Sequence, residues 1–370
     1  MGVIHLILGK ANPEKMNGVN KVVYNIATKQ AENHFPVEVW GISENTEVNY
    51  PQRLFTTKIF KQNKNPFSIP EDLKNEILNS DASNVFHFHG GWIPVFSSLG
   101  KFLHKNQRKY VMTPHGAYNT IAMEKSKLRK KFYFYFFEKN FIKNASKIHC
   151  IGESEVDGLQ TIFPNRKSVL IPYGFEKLKD DFKINSDKKE ITFGFVGRLD
   201  IQTKGLDVLV EIFAAFNKIY SNSKFWIIGD SNEKNELQRL INFHKISDKI
   251  ELLGSKFGGE KNDLMKKMDV FVHPSRNEGL PVSVIEAANF AKPCIVTKNT
   301  NIGYLIEKYH AGINIPFPDS KLLEQAFLKF YDIWNNQNEY EKICRNAVKM
   351  VEEAFDWNTI LQQMNTGLYT

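Results

Sequence analysis

The feature that most constrains this chain is an alternation of short apolar runs with longer amphipathic stretches, repeated along almost its whole length. Apolar runs of strand length fall at 3–8, 37–40, 85–89, 110–113, 147–151 and 168–171. A second series falls at 191–196, 224–228, 250–253, 270–273, 294–297 and 312–315. Helical stretches such as 206–220 lie between most of them, and 322–334 follows the last. This pattern predicts parallel β-sheets covered by helices on both faces. Between the two series, residues 173–190 are rich in Lys, Asp and Asn and poor in apolar side chains, as expected of an interdomain linker. The expectation is an α/β protein of two doubly wound domains facing a central cleft, one over 1–172 and one over 191–356. Ligands of such sheets bind beyond the carboxyl ends of the strands, so the residues just after each strand are the ones to read for chemistry.

Composition narrows the class. Of 370 residues, 42% are hydrophobic and 24% charged, the balance of a globular chain rather than a disordered one. Cys150, Cys294 and Cys344 form no C-x-x-C pair, which argues against a disulfide framework or a structural zinc site and fits a reducing compartment. No apolar run approaches the roughly 18 residues of a membrane span. The start reads as a first strand rather than a signal peptide, and Leu6 stands where a myristoylation signal needs Ser or Thr. A cytoplasmic location follows, with peripheral contact to the inner membrane face left open. Residues 1–180 hold 25 Lys and Arg against 16 Asp and Glu, whereas 181–370 hold 24 against 25. Within 101–147 there are 12 bases and two acids, Glu124 and Glu138. The net charge of +8 is therefore one patch.

Two loops in the second half carry the sharpest signals. After 191–196 come Gly197, Arg198 and, at the approach to the next helix, Lys204 and Gly205. Two cations near a helix N-terminus suit a diphosphate, although a solvated loop with unrelated cations reads this segment equally well. After 270–273 comes Pro274-Ser275-Arg276-Asn277-Glu278-Gly279-Leu280-Pro281-Val282-Ser283-Val284-Ile285-Glu286-Ala287. Pro281 is placed in the first turn of a helix, with the Gly279 and Leu280 amides at its start. Glu278 in the loop and Glu286 in the helix can turn toward one pocket. A carboxylate that accepts from two vicinal hydroxyls is a means of holding a ribose or another sugar ring.

The Glu278-x7-Glu286 segment, with Gly197-Arg198-Leu199 and Lys204-Gly205 upstream, resembles the retaining nucleotide-sugar glycosyltransferases of GT-B fold, and among them the bacterial group 1 glycosyl transferases. Ile171-Pro172-Tyr173-Gly174 is similar to the family's I-P-N-G, with Tyr173 in place of Asn. The ending, Phe355-Asp356-Trp357 to Leu368-Tyr369, resembles the family's last helix, which returns to the first domain. The resemblance implies that 357–370 join the N-terminal, acceptor-binding domain. It implies that Glu286 holds the donor ribose, Glu278 contacts the donor sugar with Gly279, Leu280 and Pro281 nearby, and Arg198 and Lys204 hold the diphosphate. Ser255, Lys256 and Phe257 would meet the base. Gly18, in a reduced glycine loop Met16-Asn17-Gly18 before a helix over 21–30, would approach the donor phosphates. His115 would line the sugar pocket, and His89 with Gly90 would shape the acceptor side.

A zinc reading of His87, His89 and His115 fails for want of a carboxylate or Cys at sensible spacing. No D-x-D occurs in the chain, so the expectation is no cofactor and no required metal, with the nucleotide sugar as co-substrate. In a retaining scheme the leaving phosphate oxygen takes the acceptor's proton and no protein base is needed. The implied donor is a UDP-sugar in preference to GDP-mannose, and the implied acceptor a glycan or lipid-linked glycan of a cell-surface polysaccharide such as lipopolysaccharide or capsule. The segment 125–139 interleaves cations with aromatics. Adsorption on anionic lipid and a solvated basic helix over an aromatic core are both open readings, with nucleic acid the less favoured partner. Two other classes remain: a GT-B-fold nucleotide-sugar epimerase, and a non-catalytic scaffold binding membrane or nucleic acid.

Overall fold

In the computed structural model, the described residues are 1–12, 18–48, 50–119, 123, 127–177 and 189–370. Met16, Asn17 and most of the expected linker lie outside them. The chain divides into two compact units, Met1–Gly174 with Trp357–Thr370, and Phe175–Asp356.

The first unit is built on strands β1 (Val3–Leu8), β2 (Val37–Ser43), β3 (Thr56–Lys61), β4 (Val85–His89), β5 (Tyr110–Thr113), β6 (Lys147–Cys150) and β7 (Ser168–Leu170). They form one parallel sheet in the order β3-β2-β1-β4-β5-β6-β7. The second unit is built on β8 (Ile191–Val196), β9 (Ser223–Ile228), β10 (Ile250–Gly254), β11 (Val270–His273), β12 (Cys294–Thr297) and β13 (Gly312–Ile315). Its parallel order is β10-β9-β8-β11-β12-β13. Central strands such as Ile191–Val196 and Val270–His273 are buried at every position, as continuous apolar runs covered on both faces must be. Each order reverses beside its first strand, between β1 and β4 and between β8 and β11. Such a reversal opens a crevice at the strand ends.

Three local features depart from the sequence reading. β3 was not anticipated: its sequence, Thr-Thr-Lys-Ile-Phe-Lys, is polar because it is an edge strand with one neighbour and only Phe60 buried. Gly18 is not a loop glycine. It is the first residue of the helix Gly18–Glu32, with open space around its α-carbon. The segment between β8 and its main helix folds as a four-residue helix, Ile201–Lys204, before Leu206–Ile219. Gly205 joins the two at φ +68°, and a β-carbon there would lie 2.2 Å from the Pro274 carbonyl oxygen, so only glycine fits.

The end of the chain belongs to the first unit. The helix Trp357–Met364 is followed by a π-helical turn, Asn365–Tyr369, with Leu368 and Tyr369 wholly buried. Gly174 packs flat on the Trp357 indole, where a β-carbon would come within 2.3 Å of the ring.

Candidate active site

In the second unit, the loops after β8 and β11 flank the topological reversal, and side chains stitch them together. Arg276 forms a two-pronged pair with Asp207 at 2.8 and 2.9 Å, and donates to the Gln202 carbonyl at 2.6 Å. The Arg276 amide and Ser275 hydroxyl both donate to the Thr203 carbonyl at 2.8 Å. Asn301 donates to the carbonyls of Glu278 and Gly279 at 2.8 and 2.7 Å. The Glu278 amide donates to the Asn299 carbonyl at 3.1 Å. The backbone around Glu278 is thereby fixed from both sides.

That framework brings Lys204 and Glu278 into direct contact, as a largely buried ion pair. His273, the last residue of β11, lies 2.8 Å from the same carboxylate oxygen through Nε2. Burial alone would raise the Glu278 carboxyl, but the His273 hydrogen bond and the Lys204 ammonium outweigh it and hold it well below its ordinary range. Burial also pushes His273 down. A neutral imidazole therefore donates from Nε2, and its Nδ1 is left buried without a hydrogen-bond partner. The ring is clamped between Phe195 and Phe271, nearly parallel to both. His273 was missed in the sequence, where it reads only as the end of a strand.

Glu286 lies in the helix Val282–Asn289 and is paired with Lys261 at 2.6 Å. The two carboxylates of the motif are thus held by different lysines. Lys261 projects from the helix Gly258–Lys267, which begins just after the loop Ser255-Lys256-Phe257. No motif flagged it, because the pairing spans 25 residues. Ser255 and Phe257 are exposed, and Lys256 is paired with Glu260. Pro281 caps the helix Val282–Asn289 rather than lying in its first turn, since its ψ of 107° is extended. Arg198 is 72% exposed at its side chain and pairs with Asp200 at 3.1 Å, so it stands apart from the Lys204–Glu278 pair.

The first unit places a different chemistry at its strand ends. His5 lies on β1, His87 and His89 on β4, Thr113 and His115 at the end of β5, and His149 on β6. Alternate residues of a strand share a face, and His5 is in register with His87 and His89 with Thr113. His89 is buried with both nitrogens engaged, by His5 at 2.8 Å and His115 at 2.9 Å. The ring therefore has no nitrogen left for an acceptor, and the expected acceptor-side role does not fit this arrangement. Its neighbour Gly90 continues the sheet ladder, donating to the Thr113 carbonyl at 2.8 Å. His115 is half-buried in the left-handed region at φ 56°, bonded to His89 on one side and the Tyr173 hydroxyl on the other. Burial holds it down to about 3, and His5 and His149 to about 4. His5, His87 and His89 have ring nitrogens within 4.8 Å of one another, the spacing of a metal site. Every one of those nitrogens already has a hydrogen-bond partner.

Beneath the His115 turn, Glu155 accepts from the Gly116 amide at 2.5 Å and the Ile151 amide at 3.2 Å. Burial raises its carboxyl to about 7.

Two Rossmann-like parallel-sheet units, one with a lysine–carboxylate cluster at its topological reversal, are the architecture of the GT-B fold. Comparison with known proteins agrees. The family described as glycosyl transferases group 1 matches residues 176–350, and that described as glycosyltransferase family 4 matches 16–176. Both matches are to glycosyltransferase families, and between them they span residues 16–350. An uncharacterised glycosyltransferase of Methanocaldococcus jannaschii is 26% identical over 283 residues, covering 76% of this chain and 74% of that protein. The UDP-Gal:alpha-D-GlcNAc-diphosphoundecaprenol alpha-1,3-galactosyltransferase of Escherichia coli is 25% identical over 300 residues, covering 76% of each. Among solved structures, Anabaena HepE in complex with UDP superposes with a TM-score of 0.74 at 16% identity, over 100% of this chain and 99% of that one. The chain is thus a glycosyltransferase.

Proposed function

We propose that the protein is a retaining glycosyltransferase that moves a hexosyl group from a nucleoside diphosphate donor, a UDP-sugar in preference to GDP-mannose, to a glycan or lipid-linked glycan. The observation that carries this reading is the Lys204–Glu278–His273 cluster beside Glu286 and Lys261, on loops that frame a topological reversal. Lys204 is already held against a carboxylate, so a diphosphate can exchange for Glu278 as its counter-ion. Glu278 is then released to accept from sugar hydroxyls. Lys204, with Arg198 exchanging its exposed Asp200 pairing to swing in from the surface, stabilises the charge that develops on the leaving diphosphate. One such preorganised donor is worth about 3 kcal/mol. Glu286 exchanges Lys261 for the ribose hydroxyls.

Retention is supported by the engagement of the histidines. His115 and His89 have both ring nitrogens bonded within the unit, which leaves neither as a base for the acceptor. The leaving phosphate oxygen then takes that proton, and no metal is required in the scheme. A UDP donor draws support from the galactosyltransferase relative. GDP-mannose stays the competitor because an O-antigen mannosyltransferase is also similar, at 23% identity over 97% of this chain.

A lipid-linked acceptor draws support from the helix Lys127–Tyr133 and the π-helical turn Phe134–Glu138. Leu128, Phe132 and Tyr135 are 84%, 64% and 67% exposed, beside Arg129, Lys131 and Lys139. An apolar cavity of about 900 Å³ opens among Leu128, Phe132, Phe134, Tyr135 and Ile162. Cations around exposed aromatics suit an anionic bilayer surface. No helix among the described residues is long and apolar enough to cross a membrane.

The test is a thermal-shift panel of UDP, GDP, ADP and their sugar conjugates on wild type and Glu286→Ala. A ligand at 100 times its Kd adds about 2.7 kcal/mol of stability. The expected result is a shift with uridine nucleotides that Glu286→Ala removes. A shift with GDP alone would transfer the reading to a mannosyl donor, and none with any nucleotide would overturn it. The anomeric configuration of the product by NMR decides retention.

A further inference from the structure

Nine polar side chains of the first unit form one continuous hydrogen-bonded line. It runs from Tyr173 Oη to His115 Nδ1, from His115 Nε2 to His89 Nδ1 at 2.9 Å, and from His89 Nε2 to His5 Nδ1 at 2.8 Å. It continues from His5 Nε2 to Gln30 Oε1 at 2.7 Å, and from Gln30 Nε2 to Tyr369 Oη at 3.4 Å, its longest link. Tyr369 Oη meets His87 Nδ1 at 2.9 Å, and His87 Nε2 meets Thr113 Oγ1 at 2.6 Å. Thr113 Oγ1 meets His149 Nδ1 at 2.8 Å, and His149 Nε2 ends the line on the Ile171 carbonyl at 2.8 Å. The two ends, Ile171 and Tyr173, are two residues apart in the chain.

A carbonyl oxygen can only accept, and that single fact fixes the sense of every link. His149 must donate from Nε2, so a neutral His149 accepts at Nδ1. Thr113 then spends its only proton on His149 and must accept from His87 Nε2. His87 accepts at Nδ1 from the Tyr369 hydroxyl. With that proton committed, Tyr369 can take only a donor from Gln30, which turns the Gln30 amide nitrogen toward Tyr369 and its oxygen toward His5. His5 and then His89 and His115 each donate from Nε2 and accept at Nδ1. The last proton needed at His115 Nδ1 comes from the Tyr173 hydroxyl. Burial keeps all five rings neutral, as this line requires.

We infer that Tyr173 is a positioning residue of the transferase: its hydroxyl occupies His115 Nδ1, the one ring nitrogen that the line leaves as an accepting site, and so holds the ring as a fixed neutral surface rather than a base. The other ring nitrogen decides a histidine's tautomer and thus its chemistry. Here the tautomer is passed along the line from the Ile171 carbonyl through His89, and Tyr173, standing where the family has Asn, occupies the nitrogen that remains. Tyr369, from the end of the chain, is the second positioning residue, because it aligns the Gln30 amide at the midpoint. The step from His115 to the reaction rests on the role proposed for His115 against the donor sugar; the tautomer assignment does not.

The experiment is a long-range imidazole ¹⁵N–¹H correlation spectrum of the full-length labelled protein, with pH profiles of kcat and KM for wild type and Tyr173→Phe. In wild type, His5, His87, His89, His115 and His149 should all give the neutral Nε2–H pattern. In Tyr173→Phe, His115 alone should change, keeping its Nε2–H pattern while its Nδ1 resonance moves to that of an acceptor without a hydrogen bond. Its kcat should fall by about tenfold, with donor KM nearly unchanged. A new acidic limb should appear, as Nδ1 is freed among the groups that face it: His89, His149, and Glu155 beneath the turn. Any of the five rings as Nδ1–H in wild type would overturn the line. So would a Tyr173→Phe protein whose His115 Nδ1 resonance and pH profile are unchanged. The wild-type spectrum decides the line even if the variant does not fold. His115 resonances that ignore a saturating donor would remove the proposed sugar contact while leaving the tautomer assignment standing.

Discussion

The two units share a parallel, doubly wound sheet with one order reversal, yet they load the strand ends beside that reversal in opposite ways. The second unit puts ions there: Lys204 with Glu278, and Lys261 with Glu286. The first runs neutral rings across its sheet, from His5 on β1 and His87 and His89 on β4 to His115 after β5 and His149 on β6, five histidines and two tyrosines in one line of hydrogen bonds. An ion pair can exchange partners when a phosphate or a ribose arrives, because each member keeps its charge. A directed line of neutral donors and acceptors cannot, because changing one link strands a buried polar atom. The fold supplies the crevice in both cases, and the side chains at the strand ends decide whether it is an exchangeable site or a fixed wall.

The sharpest way to break that contrast is to remove the exchangeable cation. Lys204→Ala should lower kcat/KM by about two to three orders of magnitude, the range seen when one preorganised transition-state donor is lost. The histidine tautomers should stay as they are. Steady-state kinetics and the same imidazole spectrum check both halves. A Lys204→Ala enzyme with near-normal turnover would mean that the diphosphate is held elsewhere.

The next largest effect is on stability. Burial lowers the five histidines of the line below their ordinary value. A group depressed on folding stabilises above its unfolded pKa, near 6.5 for histidine, and that stability is lost as pH falls toward the folded value. Each ring that reaches about 4 is linked to at most about 3 kcal/mol over that window. The second unit has one such buried ring, His273. Acidification from pH 6.5 to 4.5 should therefore strip hydrogen-exchange protection from β1, β4, β5 and β6 before β8 and β11. Simultaneous loss in both sheets would contradict the contrast.

Much of the second unit was legible in the sequence, and little of the first unit's chemistry was. β8 and β11 read at their observed bounds because a central parallel strand is one unbroken apolar run. The loops after them carry their function in consecutive residues, so Glu278 and Glu286 stood out. Lys261 and His273 did not, since one acts across 25 residues and the other hides as a strand end. In the first unit, His87 and His89 were visible as alternating residues, but the line also needs Gln30 on a helix and Tyr369 from 282 residues beyond His87. Contacts of that separation leave no local pattern. Tyr173 was noticed only as a departure from the family's Asn, and its hydroxyl's partner, His115, lies 58 residues away in the chain.

A smaller effect works against the histidines. Burial raises Glu155 to about 7. A carboxyl raised on folding stabilises most below its unfolded pKa, near 4.3, and loses that contribution as pH rises through about 7. Glu155→Gln keeps one acceptor for the Gly116 amide and cannot ionise. Relative to wild type it should gain stability between pH 5 and 8, by at most about 3 kcal/mol. Chemical denaturation across that range measures it. A constant difference between the two proteins would mean that Glu155 does not titrate there.

The smallest effect concerns where the first unit keeps its charge. Its strand ends are neutral, but its surface is not: Arg129, Lys131 and Lys139 surround the exposed Leu128, Phe132 and Tyr135. These cations have water, not substrate, as their alternative partner, so their effect should depend on ionic strength as that of Lys204 should not. Phe132→Ser removes an exposed ring whose burial in an interface is worth about 1.5 kcal/mol or more, close to tenfold in partitioning. Flotation with anionic vesicles at low salt should show that loss, and neutral vesicles should bind neither protein well. Nucleotide binding and the histidine spectrum should be untouched, because no residue of the line lies on this helix. Equal flotation of wild type and Phe132→Ser would return the segment to a solvated basic helix, and the basic patch would then bear on solubility alone.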